Sequence, residues 1–375
     1  MIGDNKMLFQ KILNRKHGVT ARVLDHLPKR LQTSLADVLS YSYQYPQLDS
    51  YIKCILAIEH KQGKTKLIDT DLLHAREQFE KQMISIQFKP TKVKHVEDLR
   101  LPLQSGVIFA RHYHPAPHKK LPMVIYYHGG GFIFGSVNSY DEVCWLLAIN
   151  ANVQVLSIEY PLAPEVGPEK IIQICEDALA WTYQNRKNLK ILKNRIAVAG
   201  DSAGGNIATV IAQKSLKKNH VPCAQLLIYP KTDFKNKYPS YYAYKEGLFL
   251  TGQDVEMMTE QYVKKFQIEL DHPLVSPMFG QLKNIAPAFI VTVTHDVLHD
   301  EGEIYAHRLQ YSGVKIFYKN YIDQTHGFIN LTPISNRSKK YSIEIFKEFR
   351  QFWDQQEGFF RGLFYIWKIF SLEIK

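Results

Sequence analysis

From about residue 93 onward, short runs of apolar residues alternate with stretches in which apolar positions recur every three or four residues. The runs Val96–Leu103, Val107–Tyr113, Met123–Tyr127, Val153–Ile158, Ile196–Ala199, Gln225–Tyr229, Ala288–Val293 and Val314–Tyr318 read as strands. Between them, Asp141–Asn150, Lys170–Arg186, Asn206–Lys217 and Glu301–Gln310 have helical spacing, and a last helix is predicted over Lys339–Gln356. This alternation predicts an α/β fold, a mostly parallel central sheet with helices on both faces.

Two regions break the pattern. Residues 1–92 read as helices and connections of mixed charge, with Tyr41, Tyr43, Tyr45 and Tyr51 close together. Asp233 to Pro277 is too long for an ordinary strand–helix connection. It contains Tyr238, Tyr241, Tyr242, Tyr244, Phe249 and a helix-like Val255–Phe266. The expected organisation is an N-terminal helical cap segment (1–92), a core (93–357) with a cap insertion at about 234–276, and an apolar tail (358–375).

Composition narrows the class. With 375 residues, 45% hydrophobic and 12% aromatic, the chain can bury a large core. Its net charge of +11 comes from scattered cations without a nucleic-acid-reading motif, so no nucleic-acid partner is expected. Cys54, Cys144, Cys175 and Cys223 are far apart and suggest neither a disulfide framework nor a zinc cluster. Met1–Gln10 offers no long apolar signal core, which favours a cytoplasmic location. In the tail, Arg361, Lys368 and Lys375 recur every seven residues and would nearly superpose on a helix. At about 25 Å such a helix is short of a hydrocarbon core of about 30 Å. Two readings stand level: an interfacial anchor that leaves the protein membrane-associated, or packing against the cap or a second subunit of a homodimer.

The chemistry centres on Gly200-Asp201-Ser202-Ala203-Gly204-Gly205, placed between a predicted strand and a predicted helix. That context describes a nucleophile elbow with Ser202 at its tip. The bland alternative, a serine capping the helix, leaves the glycine frame unexplained. A serine hydroxyl needs a base, and the base an orienting carboxylate; in this fold they follow in the order serine, acid, histidine. His326 is the candidate base and Asp296 the candidate acid, with Asp300 the runner-up. A predicted strand ending at Tyr127 runs into His128-Gly129-Gly130-Gly131-Phe132. Backbone N–H groups of Gly129, Gly130 and Gly131, the latter two foremost, would join that of Ala203 as an oxyanion hole. Asp201 and Glu165 are read as loop-holding residues, and His295 and His299 as surface loop residues. His112 and His114 would share one strand face, but the spacing offers no third ligand, so no metal is expected.

Together His128–Phe132, Tyr160-Pro-Leu-Ala-Pro-Glu165, Gly200–Gly205, Ser276-Pro-Met278, Asp296–Glu301 and His326-Gly-Phe328 resemble the hormone-sensitive-lipase-like (family IV) α/β-hydrolase esterases over about Val96 to Trp353. Val297 stands where that family usually has proline. The resemblance implies an α/β-hydrolase fold with a helical cap and hydrolysis of small acyl esters with short or medium chains, without metal or organic cofactor. Ser202 would form an acyl-enzyme, His326 would shuttle the proton and Asp296 would orient it. Phe132, Tyr242 and Phe249 are the candidate pocket residues. An aryl amide hydrolase or deacetylase on the same scaffold is the nearest alternative. A non-catalytic receptor, like the plant gibberellin receptor that lacks the histidine, is disfavoured by His326.

Overall fold

The computed structural model describes residues 17–38, 45–61, 71–87 and 91–372, with side chains only between 21 and 356. The tail's side chains, Tyr41 and Tyr43 lie outside the described residues. Among the described residues, four helices precede the sheet: α1 (His17–Asp25), α2 (Lys29–Val38), α3 (Ser50–Lys61) and α4 (Leu72–Ile86).

The sheet has eight strands: β1 (His95–Leu103), β2 (Gly106–His114), β3 (Leu121–Tyr127), β4 (Gln154–Ile158), β5 (Ile191–Asp201), β6 (Gln225–Ile228), β7 (Ala288–His295) and β8 (Ile316–Thr325). Their spatial order is β1-β2-β4-β3-β5-β6-β7-β8. Strand β2 is antiparallel to both neighbours, and every pair from β4 across to β8 is parallel. The helices that follow are α5 (Asp141–Asn150), α6 (Pro168–Gln184), α7 (Ala203–Lys214), α8 (Pro239–Tyr244), α9 (Gly252–Tyr262), α10 (His299–Tyr311) and α11 (Asn336–Leu372).

Side-chain alternation divides the core in two. Met123, Ile125 and Tyr127 of β3 face the layer containing Ile171 of α6, Ile207 of α7 and Tyr305 of α10. Val124 and Tyr126 face the opposite layer, with Leu147 of α5 and Phe349 of α11. Every residue of β3 and β4 is buried, which is why both appear in the sequence as apolar runs.

The predicted boundaries shift where polarity hides a strand. β8 continues past Tyr318 to Thr325 through Lys319, Asn320, Asp323 and Gln324. It is an edge strand, and its polar side chains have local partners: Lys319 pairs with Glu344 and Glu348 of α11. Helix α9 starts at Gly252, not Val255, because Thr251 and Asp254 form a reciprocal capping box. Helix α11 continues unbroken through the boundary expected at 357. Among the described residues, no helix is long and apolar enough to cross a membrane.

The segment between β6 and β7 meets the N-terminal helices. Leu248 packs in one cluster with Tyr45, Leu48, Tyr51 and Ile52. The Tyr45 hydroxyl donates to the Glu246 carbonyl at 2.6 Å. A smaller cluster of Leu250, Val255, Val297 and Leu298 lies between this segment and the loop after β7.

Candidate active site

Only Ser202 separates β5 from α7, and the chain reverses there at φ 54°, ψ −119°. That conformation is strained for a residue with a side chain and persists only where its surroundings impose it. Here the Ser202 N–H donates to the Ile228 carbonyl at 2.8 Å, and the Ser202 carbonyl accepts from the Lys231 N–H at 3.2 Å. The turn also needs its glycines. A Cβ on Gly204 would lie 1.9 Å from the Tyr127 carbonyl oxygen, and one on Gly200 would lie 2.2 Å from the Gly204 carbonyl carbon. Both collisions are with backbone that cannot move aside.

The parallel strands β7 and β8 deliver the other two candidates to the same rim. Their register aligns His295 with Thr325, and the Thr325 hydroxyl donates to the His295 carbonyl at 3.0 Å. Asp296 and His326 follow directly. His326 Nε2 lies 2.8 Å from Ser202 Oγ, and Nδ1 lies 2.7 Å from Asp296 Oδ2. The other Asp296 oxygen accepts the Leu298 N–H at 2.9 Å. A carboxylate can only accept, so Nδ1 carries the imidazole proton and Nε2 presents a lone pair to the serine hydroxyl. The Tyr229 ring, 4.5 Å from that of His326, packs against the imidazole. Asp300, the runner-up acid, instead accepts the Ser240 N–H at 2.8 Å.

The glycine run supplies a cradle with one correction. The Gly129 N–H donates to Asp201 Oδ1 at 2.9 Å, so it is already committed and is not an oxyanion donor. Among the described residues, the N–H groups of Gly130, Gly131 and Ala203 have no protein acceptor. Gly130 and Gly131 lie at φ +107° and +63°, and the Gly130 carbonyl closes the turn by accepting from Ile133 and Phe134. Asp201 also accepts the hydroxyls of Tyr126 and Tyr140, at 2.8 and 3.0 Å. Its burial outweighs these donors and raises its pKa to about 6.

A second layer holds the cradle from behind. His128 stacks on Tyr160 with ring centroids 4.2 Å apart, and the Tyr160 hydroxyl donates to the His128 carbonyl at 2.6 Å. Burial lowers the His128 pKa to about 4, so its ring is neutral. From α4, Arg76 donates to the Ile133 carbonyl at 2.8 Å, to the Ala163 carbonyl at 2.6 Å, and to both carboxylate oxygens of Glu165. Arg76 lies in a segment without a motif, which is why sequence reading passed over it. Glu301 closes the Asp296–Glu301 motif, which by itself assigns it no role: it pairs with Lys231 at 2.8 Å and accepts the Thr232 N–H at 2.6 Å, fixing the loop after β6.

The cleft beside Ser202 is lined by Phe132, Phe234, Leu250, Val255, Met258 and Leu298. Its free space is about 10 Å³, roughly what one water needs. Met258 fills the space over the glycines: a Cβ on Gly131 would lie 2.3 Å from its Cε. Phe132 stacks on Tyr262 at 3.7 Å. The other two predicted pocket residues lie elsewhere. Tyr242 is 61% exposed and rests edge-on against Tyr241. Phe249 packs with the N-terminal helices, while its neighbour Leu250 takes the cleft. His295 is a further correction: it is buried, with the rings of Tyr45 and Tyr244 at 5.8 and 5.6 Å, and not in a surface loop. His299 opens α10 and is half-buried.

Residues 124–330 match the family model described as alpha/beta hydrolase fold. The chain is 30% identical to a carboxylic ester hydrolase, LipN, of Mycobacterium tuberculosis, over 92% of this chain and 94% of that protein. It is 31% identical to an ethyl acetate hydrolase of Pseudomonas putida, over 82% of this chain and 98% of that one. Among solved structures, a hyperthermophilic esterase from the archaeon Pyrobaculum calidifontis superposes with a TM-score of 0.75 at 36% identity, covering 80% of this chain and 96% of its own.

Proposed function

The chain belongs to the hormone-sensitive-lipase-like α/β-hydrolase esterases, and from that premise we propose that it cleaves small carboxylic esters through an acyl-enzyme on Ser202. The observation that carries this reading is His326 standing between Ser202 Oγ and Asp296, within hydrogen-bonding distance of both. Its Nε2 lone pair takes the hydroxyl proton as Oγ attacks the ester carbonyl. Charge then develops on the carbonyl oxygen, where the unpaired N–H groups of Gly130, Gly131 and Ala203 stabilise it. His326 returns the proton to the leaving alcohol and repeats the exchange with water to release the acid. Asp296 keeps the productive tautomer and stabilises the imidazolium.

A cramped apolar cleft beneath Met258 and Leu250 supports a preference for short acyl groups, in keeping with the ethyl acetate hydrolase among the relatives. The test is a p-nitrophenyl ester series of increasing acyl length on the purified full chain, beside a matched aryl amide. Turnover should be greatest on the short esters, and Ser202→Ala should lower it by about 10⁴ or more. Undiminished cleavage by that variant would end the reading. Amide turnover matching that of the ester would move the substrate class.

A further inference from the structure

The β1–β2 hairpin at the edge of the sheet carries a cluster that the ester chemistry does not use. In its antiparallel register His95 stands opposite His114, and Glu97 opposite His112. Opposed residues share a sheet face, as do residues two apart on a strand, so the four side chains form a two-by-two array. The His95 and His112 rings are 6.1 Å apart, and those of His112 and His114 5.9 Å. His95 Nε2 lies 3.2 Å from Glu97 Oε2. One ligand atom each from His95, Glu97 and His112 fall within 4.8 Å of one another. The third ligand that spacing along β2 could not supply therefore comes from the neighbouring strand.

The buried member is already set up to coordinate. The Gln154 side-chain NH₂ donates to the Leu121 and Lys190 carbonyls, at 3.3 and 3.2 Å. That fixes the amide so that its oxygen faces His112 Nε2 at 2.8 Å. Nε2 must then carry the proton, which leaves the Nδ1 lone pair available. A histidine that donates its other N–H to a carbonyl is the usual posture of a metal ligand, because that bond fixes tautomer and ring orientation. Beside it, His114 Nδ1 accepts the Ala116 N–H at 3.2 Å.

We propose that His95, Glu97 and His112 bind a borderline divalent transition ion of the zinc class, with water completing the tetrahedron. Two imidazoles and one carboxylate suit such an ion, whereas magnesium and calcium prefer oxygen ligands. Tetrahedral ligands at about 2.0–2.1 Å from the ion stand about 3.4 Å apart, a spacing the His95–Glu97 pair already meets at 3.2 Å, so the approach to His112 need close by no more than about 1.4 Å. The His95 and Glu97 side chains are 42% and 55% exposed and free to swing in, while His112 stays anchored by Gln154. The ion would clamp β1 to β2 and stabilise the folded chain, independently of the ester-cleavage reading.

The full chain, stripped with a chelator, would be titrated with Zn²⁺ by calorimetry and with Co²⁺ by visible absorption. One equivalent should bind with a tetrahedral Co²⁺ spectrum, and Zn²⁺ should raise the melting temperature. His95→Ala and Glu97→Ala should each weaken binding by at least about tenfold and abolish the thermal shift. Unchanged circular dichroism in chelator would show that both variants fold. A His299→Ala variant controls for the other cluster of suitable side chains, His299, Asp300 and Glu303. No stoichiometric binding overturns the proposal, as does binding that survives both hairpin variants or is lost only with His299.

Discussion

Replacing Asp296 by asparagine keeps size and shape and changes one proton-bearing group, and the structure sets the outcome. Asp296 serves two donors, His326 Nδ1–H at 2.7 Å and the Leu298 backbone N–H at 2.9 Å. Asparagine has one oxygen for these two places. The backbone N–H cannot reverse its role, whereas an imidazole can change tautomer. The oxygen will therefore face Leu298, and the NH₂ will face His326 Nδ1. The ring must then accept at Nδ1 and carry its proton on Nε2, where it points at Ser202 as a donor and can no longer take the hydroxyl proton. The same tautomer trap in a serine-protease triad costs about 10⁴ in kcat, equivalent to about 5.5 kcal/mol of transition-state stabilisation. We expect a loss of that order for Asp296→Asn in p-nitrophenyl acetate hydrolysis, in kcat more than KM, with the denaturation midpoint little changed. Asp300→Asn, which touches the contacts to Ser240 and His299 and not His326, should remain within tenfold of the parent. Asp296→Asn retaining more than a tenth of the activity while Asp300→Asn collapses would refute the assignment.

Three further outcomes are expected. Gly204→Ala should destabilise by more than about 3 kcal/mol, read from denaturant midpoints, because the new methyl meets the Tyr127 carbonyl oxygen at 1.9 Å. Met258→Ala removes the group lying on Gly131 and should raise kcat/KM for longer acyl chains by about tenfold relative to acetate; an unchanged chain-length profile would show that the cleft is limited elsewhere. Asp201 has a folded pKa of about 6 against 3.8 for its ordinary value, so folding favours its neutral form. The resulting stabilisation, about 3 kcal/mol, is complete below about pH 4 and is lost as pH rises through about 6. Asp201→Asn should remove that component, and parallel stability curves of parent and variant between pH 4 and 7 would contradict it.

The parallel strands were legible because burial on both faces leaves an unbroken apolar run, as in Met123–Tyr127 and Val153–Ile158. The second half of β8 was not, since Lys319 and Asn320 face partners that only the folded chain supplies. Ser202, Asp296 and His326 could be named because chain order and a glycine frame constrain them together. The pocket was harder to read. Aromatic character drew attention to Tyr242 and Phe249, yet the side chains over the serine are Leu250, Val255 and Met258, chosen by the register of the capped helix α9. Arg76 and Glu301 act through backbone carbonyls and amides far along the chain, and the partners in such bonds leave no trace in a linear pattern, whereas Asp201, inside the glycine frame, could be read as a loop-holding residue.

Arg76 has one more implication. A hydrolase made only of sheet and flanking helices could begin at β1, yet here the glycine loop and the Ala163 turn are tied to a guanidinium contributed by an earlier helix. On the proposed mechanism, docking of the amino-terminal quarter is thereby a condition of competence: a proteolytic nick that released α4 would leave the three proposed reacting side chains intact while loosening the proposed seat for the negative charge.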